Sequence, residues 1–230
     1  MLIGPQNSAV HVNHVRSRIR RAAEAAGRDP ASITLVAVSK SKPAEFMRAA
    51  ATAGVTDFGE NYVQEAIAKL DSLGDLPLRW HFIGGLQSNK TRAVAERFDW
   101  VHSIDRLGIA RRLSDQRPFH APPLHLCIQV KLVPEPTKGG VSPDELPALA
   151  AAISGLPRVK LRGLMCVPPP QPDGAAERAV FSKLRHLLER LNMNGHGLDT
   201  LSMGMSGDFE SAIAEGATHV RIGTALFGSR

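Results

Sequence analysis

The chain alternates short runs rich in Val, Ile and aromatic residues with longer segments in which apolar residues recur at helical spacing. Short apolar runs bounded by turn residues are typical of strands, whereas recurrence every three or four residues is typical of helices. We predict eight strands, over residues 33–40, 56–60, 79–84, 100–105, 124–132, 159–167, 200–206 and 219–226. Helices are predicted between them, for instance over residues 43–53, 61–71 and 175–192.

The regular alternation of strands and helices predicts βα units around a parallel sheet. Eight strands and the helices between them, in a chain of 230 residues, favour a closed (β/α)8 TIM barrel that forms a single domain over residues 1–230. An open, doubly wound sheet is the alternative, because periodicity alone does not separate the two architectures.

An additional helix is predicted ahead of the first strand. Its apolar residues Val12, Val15, Ile19, Ala22 and Ala26 share one face, and several arginines lie beside them. A basic amphipathic helix can lie on a membrane surface, but packing on the domain is the commoner role. We therefore expect this helix to cover one end of the barrel or to complete its outer ring of helices.

Composition and net charge indicate which classes of ligand and which cellular location to expect. The net charge of +6 favours anionic ligands, but aromatic residues make up only 5% of the chain, so nucleic acid is not expected. No segment approaches the roughly 20 apolar residues that cross a bilayer, and no secretory signal is recognisable, so no membrane partner is expected. The two cysteines, Cys127 and Cys166, lack paired spacing, which favours a reducing compartment and a cytoplasmic location.

A lysine at the end of the first predicted strand is the strongest candidate for chemistry. Alternation places Val36, Val38 and Lys40 on one face of the strand, and an inward face would put Lys40 in the mouth of the barrel. A lysine partly removed from water loses its proton more readily, as a Schiff-base nucleophile must. Lys42 shares the parity but is expected to be more exposed. The alternative is a pair of rim lysines that only attract anions.

The last two predicted strands lead into segments suited to binding phosphate. The run SMGMSGD over residues 202–208 and the run RIGT over residues 221–224 combine glycines with hydroxyl side chains. Glycines allow a ligand to approach the backbone closely, and phosphate often binds after strands 7 and 8 of such barrels. Together with Lys40, these segments predict a site that holds a phosphorylated aldehyde at both ends.

Several motifs together resemble one family. They are AVSKSKP (37–43), FGENYVQEA (58–66), WHFIGGLQSNK (80–90), VHSIDR (101–106), RGLMCVPPP (162–170), LSMGMSGDFESAI (201–213) and VRIGTALFG (220–228). This set resembles the pyridoxal phosphate homeostasis protein family, whose single domain is related to the alanine racemase N-terminal barrel, a PLP fold type III. The resemblance covers nearly the whole chain. It implies that the cofactor is pyridoxal 5'-phosphate (PLP).

The resemblance also implies roles for individual residues. Lys40 would form the Schiff base with PLP, and Asn61 would line the ring pocket. Arg221 would face the pyridine nitrogen. The phosphate would be held by the remaining three predicted ligands, Ser206, Gly223 and Thr224. A further lysine of the family would correspond to Lys138, although EPTKGG around it is richer in proline and glycine than expected.

Three functions follow from these residues. The resemblance implies a PLP-binding protein in vitamin B6 and amino-acid homeostasis, with apo PLP-dependent enzymes and free amino acids as further partners and without efficient turnover. The first alternative is an amino-acid racemase, for which Lys40 supplies a base on only one face of the substrate. The second base of alanine racemases is a tyrosine on an additional domain, which we do not expect here. The other alternative is a Schiff-base aldolase that acts on a sugar phosphate without a cofactor.

Arg221 explains why turnover is expected to be poor. A guanidinium can only donate, so a pyridine nitrogen beside it stays an unprotonated acceptor and the ring withdraws electrons weakly. We therefore predict no catalytic residues. No metal ligands are predicted either, because the pair His11 and His14 has no carboxylate or cysteine in register. His81 is expected to be a hydrogen-bonded pocket or core residue, and Glu60 to orient its neighbours.

Overall fold

A computed structural model describes residues 4–133 and 139–228 of the chain. Its eight strands are parallel and form one closed barrel in chain order. The strands are β1 (Thr34–Val38), β2 (Asp57–Glu60), β3 (Arg79–Phe82), β4 (Trp100–Ile104), β5 (Leu124–Gln129), β6 (Val159–Met165), β7 (Thr200–Ser202) and β8 (His219–Ile222). Each lies within one of the predicted runs.

The helices follow the strands in the order expected of βα units. They are α1 (Ser8–Ala25), α2 (Ala44–Thr52), α3 (Val63–Ser72), α4 (Thr91–Arg97), α5 (Leu107–Gln116), α6 (Leu146–Ser154), α7 (Gly174–Met193), α8 (Phe209–Ala214) and α9 (Thr224–Phe227). Their apolar faces pack on the outside of the sheet and bury most of the hydrophobic core there. No helix in the described part of the chain is long and apolar enough to span a membrane.

The pairing of the first and last strands settles the architecture. Thr34 pairs with His219, and Val36 pairs with Arg221, so β1 and β8 close the sheet on itself. The closed barrel is therefore confirmed, and the open doubly wound sheet is excluded. The barrel brings the carboxyl ends of β7, β8, β1 and β2 next to one another, because these strands are consecutive around it.

The predicted strands were too long at this edge of the barrel. The run 200–206 leaves the strand after Ser202, since Gly204 takes a φ of +92° that turns the chain away. The run 219–226 passes into the short helix α9 at Thr224. Lys40 likewise lies two residues beyond the end of β1. The residues that carry chemistry thus belong to rim loops rather than to the strands.

Helix α1 completes the outer ring. It packs against α2, α8 and α9, on the outside of the seam between β1 and β8. Val12, Val15 and Ile19 are buried as predicted, and Ala23 joins them, whereas Ala22 and Ala26 are only half-buried. Since the apolar face of α1 is covered by the domain, the packing prediction holds.

The barrel interior differs from the outer core in its chemistry. Trp100 belongs to a second, smaller apolar cluster with Cys127 and Met165. The rings of His81, His102 and His219 surround this tryptophan, with centroid distances of 5.7, 5.7 and 5.0 Å. His81 is fully buried and hydrogen-bonded, in agreement with its predicted place in the core.

Candidate functional site

Lys40 lies in a tight turn that follows β1. Its side chain is half-buried and forms no hydrogen bond or ion pair with the residues that the structure describes. Ser41, the next residue, has a φ of +60°, a left-handed conformation that costs a residue with a Cβ some energy. The neighbouring Lys42 is also half-buried, with its Nζ 5.9 Å from the ring centroid of Phe46. The structure therefore distinguishes the two lysines by their surroundings.

A buried lysine on α3 forms hydrogen bonds with residues at the ends of β1 and β2. Lys69 is only 6% exposed, and its Nζ donates to the carbonyl oxygen of Ser39 at 2.7 Å and to Glu60 Oε1 at 2.7 Å. The hydroxyl of Ser39 donates to the same carboxylate oxygen at 2.6 Å. The residue that precedes Lys40 is thus bound through both its backbone and its side chain. Glu60 orients its neighbours here, which is the role that the sequence predicted for it.

A second carboxylate from α3 fixes the residue after Lys40. Glu65 Oε1 lies 2.6 Å from Lys69 Nζ and accepts a hydrogen bond from the backbone N–H of Ser41 at 2.5 Å. Lys69 and Glu65 are four residues apart, a spacing that places both side chains on one face of the helix. Both neighbours of Lys40 are therefore anchored to α3, and the left-handed turn at Ser41 is stabilised.

Two acceptor atoms beside this network have no partner within the described residues. They are Glu60 Oε2 and Asn61 Oδ1, and both are buried. Burial raises the pKa of Glu60 above its ordinary value, while the hydrogen bonds from Lys69 and Ser39 oppose that rise. A buried acceptor without a hydrogen bond costs free energy. A ligand that donates a hydrogen bond to it would recover this cost, so these two atoms indicate a candidate ligand contact.

Arg221 faces the interior from the opposite side, on β8. Its guanidinium donates to Ser202 Oγ at 2.7 Å and to the carbonyl oxygen of Cys166 at 2.8 Å. The side chain is buried, which lowers the pKa of Arg221, although an arginine stays charged at neutral pH. Burial also raises the pKa of the Cys166 thiol to about 12, in keeping with an inert thiol.

The loops after β7 and β8 lie against each other. Ser206 Oγ accepts a hydrogen bond from the backbone N–H of Ala225 at 3.3 Å. A Cβ on Gly223 would stand only 3.2 Å from the carbonyl oxygen of Val38, so glycine allows this loop to pack against β1. Thr224 is exposed and Ser206 is half-buried, so both hydroxyls are near the surface of the rim.

The predicted site residues therefore gather at one edge of the barrel, on four consecutive strands. Ser206 follows β7, Arg221 and the Gly223–Thr224 turn belong to β8 and its exit, Lys40 follows β1, and Asn61 follows β2. Lys138 lies outside the described residues. Among those that are described, no three His, Cys, Asp or Glu side chains come together as metal ligands.

The sequence did not predict the residues that form hydrogen bonds with the site residues or with their neighbours in the chain. Ser39, Glu65 and Lys69 were not singled out, and neither were Ser202 and His102. The i,i+4 spacing of Glu65 and Lys69 was a readable signal, but it is typical of exposed ion pairs. Only the folded structure shows that this pair forms hydrogen bonds with the backbone on either side of Lys40.

Comparisons with known proteins agree with this architecture. A family model described as the alanine racemase N-terminal domain matches residues 10–230. The pyridoxal phosphate homeostasis protein of Pseudomonas aeruginosa is 60% identical over 222 residues, which cover 96% of this chain and 95% of that protein. The protein of the same name from Escherichia coli K12 is 50% identical over 225 residues, 96% of either chain.

Solved structures also resemble this chain in fold. The structure of PipY from Synechococcus elongatus with PLP bound is 44% identical, has a TM-score of 0.82, and covers 92% of this chain and 100% of that one. Alanine racemase from Corynebacterium glutamicum is similar in fold, with 17% identity and a TM-score of 0.70. That match covers 95% of this chain and 62% of the racemase.

Proposed function

The chain belongs to the pyridoxal phosphate homeostasis protein family, and from this premise we propose that it binds PLP at the carboxyl ends of β7, β8, β1 and β2. The observation that carries the proposal is the convergence at one edge of the barrel of Lys40, which has no ion-pair partner among the described residues, a buried arginine and two hydroxyl-bearing loops. As a single-domain cytoplasmic protein, it would hold PLP for use by apo PLP-dependent enzymes.

The residues at this edge fit the cofactor. PLP carries a phosphate, a ring nitrogen that accepts, and a ring hydroxyl that can donate. The buried Asn61 Oδ1 has no partner among the described residues and suits a donating hydroxyl. A Cβ on Gly223 would lie 3.2 Å from the carbonyl oxygen of Val38, so glycine lets the loop that we assign to the phosphate lie close to β1.

Each residue then has a distinct task. Lys40 supplies the primary amine, and Ser206, Gly223 and Thr224 hold the phosphate. Arg221 donates to the ring nitrogen, and Asn61 binds the edge of the ring. When bound, PLP supplies an aldehyde that condenses reversibly with amines, which is why free amino acids are expected as exchange ligands.

Arg221 also supports the proposal that the protein turns over amino acids poorly. Its guanidinium donates to Ser202 Oγ and to the carbonyl oxygen of Cys166, so the charged group is held rigidly in the interior. A charged donor at this place keeps the ring nitrogen unprotonated, which weakens the electron withdrawal that carbanion chemistry needs. The geometry therefore favours a protein that carries PLP over a racemase.

An absorbance titration tests the proposal. Purified apo-protein is titrated with PLP and, in parallel, with pyridoxine, which has no aldehyde. We expect a new visible band that saturates at one PLP per chain, and no such band with pyridoxine. A protein that binds no PLP, but cleaves a sugar phosphate after borohydride-sensitive attachment to Lys40, would contradict the proposal and favour the aldolase.

A further inference from the structure

A continuous line of hydrogen-bonded side chains crosses the barrel interior beneath the candidate site. Arg221 donates to Ser202 Oγ at 2.7 Å, and Ser202 Oγ lies 2.7 Å from His102 Nδ1. His102 Nε2 lies 2.9 Å from His81 Nδ1, and His81 Nε2 lies 3.0 Å from Asp57 Oδ1. Five residues from five different strands are thus joined by four hydrogen bonds, and all five are buried.

The far end of this line reaches solvent at the amino-terminal end of the barrel. Asp57 is the first residue of β2, and Arg79, the first residue of β3, binds its two oxygens at 2.7 Å each through a side chain that is 59% exposed. Burial opposes ionisation of Asp57, but the hydrogen bonds from His81 and Arg79 outweigh it and hold its pKa below the usual range. Asp57 is therefore an ionised acceptor.

With one proton on each imidazole ring, the two ends impose one direction on every hydrogen bond between them. An arginine can only donate and an ionised aspartate can only accept. His81 must therefore donate from Nε2 to Asp57, which leaves its Nδ1 to accept from His102 Nε2. His102 Nδ1 then accepts from the hydroxyl of Ser202, which in turn accepts from Arg221. Each ring then carries its single proton on Nε2, and burial lowers the pKa of His102 well below its ordinary value.

We propose that His102 and His81 are positioning residues for the cofactor's ring nitrogen, because they commit the only proton of the Ser202 hydroxyl away from Arg221. The Ser202 lone pair then faces the guanidinium and holds it in one orientation. This inference rests on the proposed function, since it takes Arg221 as the donor to the ring nitrogen. The line of hydrogen bonds joins protein residues alone, so it can be examined in the apo-protein.

The first test examines the tautomers in the apo-protein. Long-range ¹H–¹⁵N correlation spectra report which ring nitrogen of each histidine carries the proton. We expect both His81 and His102 as Nε2–H tautomers, and a proton on Nδ1 of either one would overturn the proposal. This measurement needs no PLP, so its failure is distinct from a failure of PLP binding.

The second test follows the ring nitrogen itself, with PLP labelled with ¹⁵N at that atom. His102→Phe removes both hydrogen bonds of the histidine, and Ser202→Ala removes the acceptor of Arg221. His102→Gln is the conservative control, because its amide can accept from Ser202 and donate to His81. We expect His102→Phe and Ser202→Ala to move the ¹⁵N resonance in the same direction and to weaken PLP binding about 2- to 10-fold.

The glutamine variant decides between positioning and mere support of the fold. Positioning predicts that His102→Gln returns the ¹⁵N resonance to the wild-type value, even where its thermal stability stays reduced. A resonance unchanged in His102→Phe with PLP still bound would overturn the proposal. Should His102→Phe fail to fold, Ser202→Ala and the wild-type tautomers decide the question.

Discussion

Lys69 Nζ lies 2.7 Å from the carbonyl oxygen of Ser39, the residue immediately before Lys40. A buried ammonium group from α3 thereby holds the backbone between the end of β1 and Lys40. The same ammonium is shared by the carboxylates of Glu60 and Glu65, so its positive charge has two acidic partners within the network. The position of Lys40, the lysine that we propose to bind PLP, therefore depends on the hydrogen bonds of a second lysine, Lys69.

Removal of Lys69 is expected to destabilise the protein strongly. Lys69→Met leaves Glu60 buried without its cation, and breaking a buried pair in this way costs about 3–5 kcal/mol. Urea denaturation measures the loss in the free energy of unfolding. Lys183→Met, which changes an exposed lysine on α7 in the same way, is the matched control and should have an effect below about 0.5 kcal/mol. Similar values for the two variants would contradict the role of the network.

Two half-buried histidines, His219 and His125, predict how stability depends on pH. Burial lowers the pKa of His219 to about 3 and that of His125 to about 4. The unfolded chain binds these protons near pH 6.5, so between pH 6.5 and about 4 it holds more protons than the folded chain. The free energy of unfolding should therefore fall as the pH falls through this window.

His219→Gln tests that dependence, because glutamine does not titrate. The slope of the unfolding free energy against pH, measured by urea denaturation between pH 7 and pH 4.5, should become shallower in this variant. His186→Gln removes an exposed histidine and serves as the control, with the wild-type slope expected. A slope in His219→Gln as steep as in the wild type would show that His219 does not stay neutral in the folded protein.

The loop after β8 is expected to discriminate between phosphorylated and unphosphorylated ligands. Thr224→Val removes a hydroxyl from the proposed phosphate site, where one charge-assisted hydrogen bond contributes about 1.5–3 kcal/mol. Isothermal titration should show a larger loss of affinity for PLP than for pyridoxal. Thr52→Val, on α2, is the control and should bind both ligands as the wild type does. Equal losses for the two ligands would place the phosphate elsewhere.

The rigid, charged donor on β8 predicts slow chemistry at the amino-acid Cα. Arg221 cannot accept a proton from the ring nitrogen or supply a carboxylate to it, so amino acids should exchange onto the cofactor without being turned over. Deuterium exchange at Cα, followed by NMR together with the enantiomers formed, should be far slower than the roughly 10 per second of ordinary enzymes. Rapid exchange on both faces of Cα would instead indicate a racemase.

Much of the fold was predictable because the apolar pattern is local. Each of the eight strands produces a short apolar run, and each run falls where the barrel has a strand. The inward face of β1 was readable in the same way, since Val36 pairs with the inward-facing Arg221, whereas the direction of Lys40 stays a prediction because it lies in the turn beyond the strand. The lengths of β7 and β8 were not, because Gly204 and Gly223, which follow these strands, resemble glycines inside a strand until their backbone conformations are known.

The supporting hydrogen bonds were not predictable, because they join residues that are distant in sequence. His102 meets Ser202 across 100 positions, and Lys69 meets Ser39 across 30. A pattern indicates that His102 faces inward but does not indicate which side chain it contacts. The resemblance to a family named Lys40 and Arg221, whereas only the packed barrel identifies the groups that hold them in place.

The identity of the lysine that binds PLP is the central claim, and reduction with borohydride tests it directly. The loaded protein is reduced, digested, and analysed by mass spectrometry for a pyridoxyl group on Lys40, Lys42 or Lys69. Lys40→Ala and Lys42→Ala are treated alongside the wild type. We predict that the wild type and Lys42→Ala carry the group on Lys40, and that Lys40→Ala carries none and lacks the visible band. A pyridoxyl group on Lys42 or Lys69 in the wild-type protein would contradict this account.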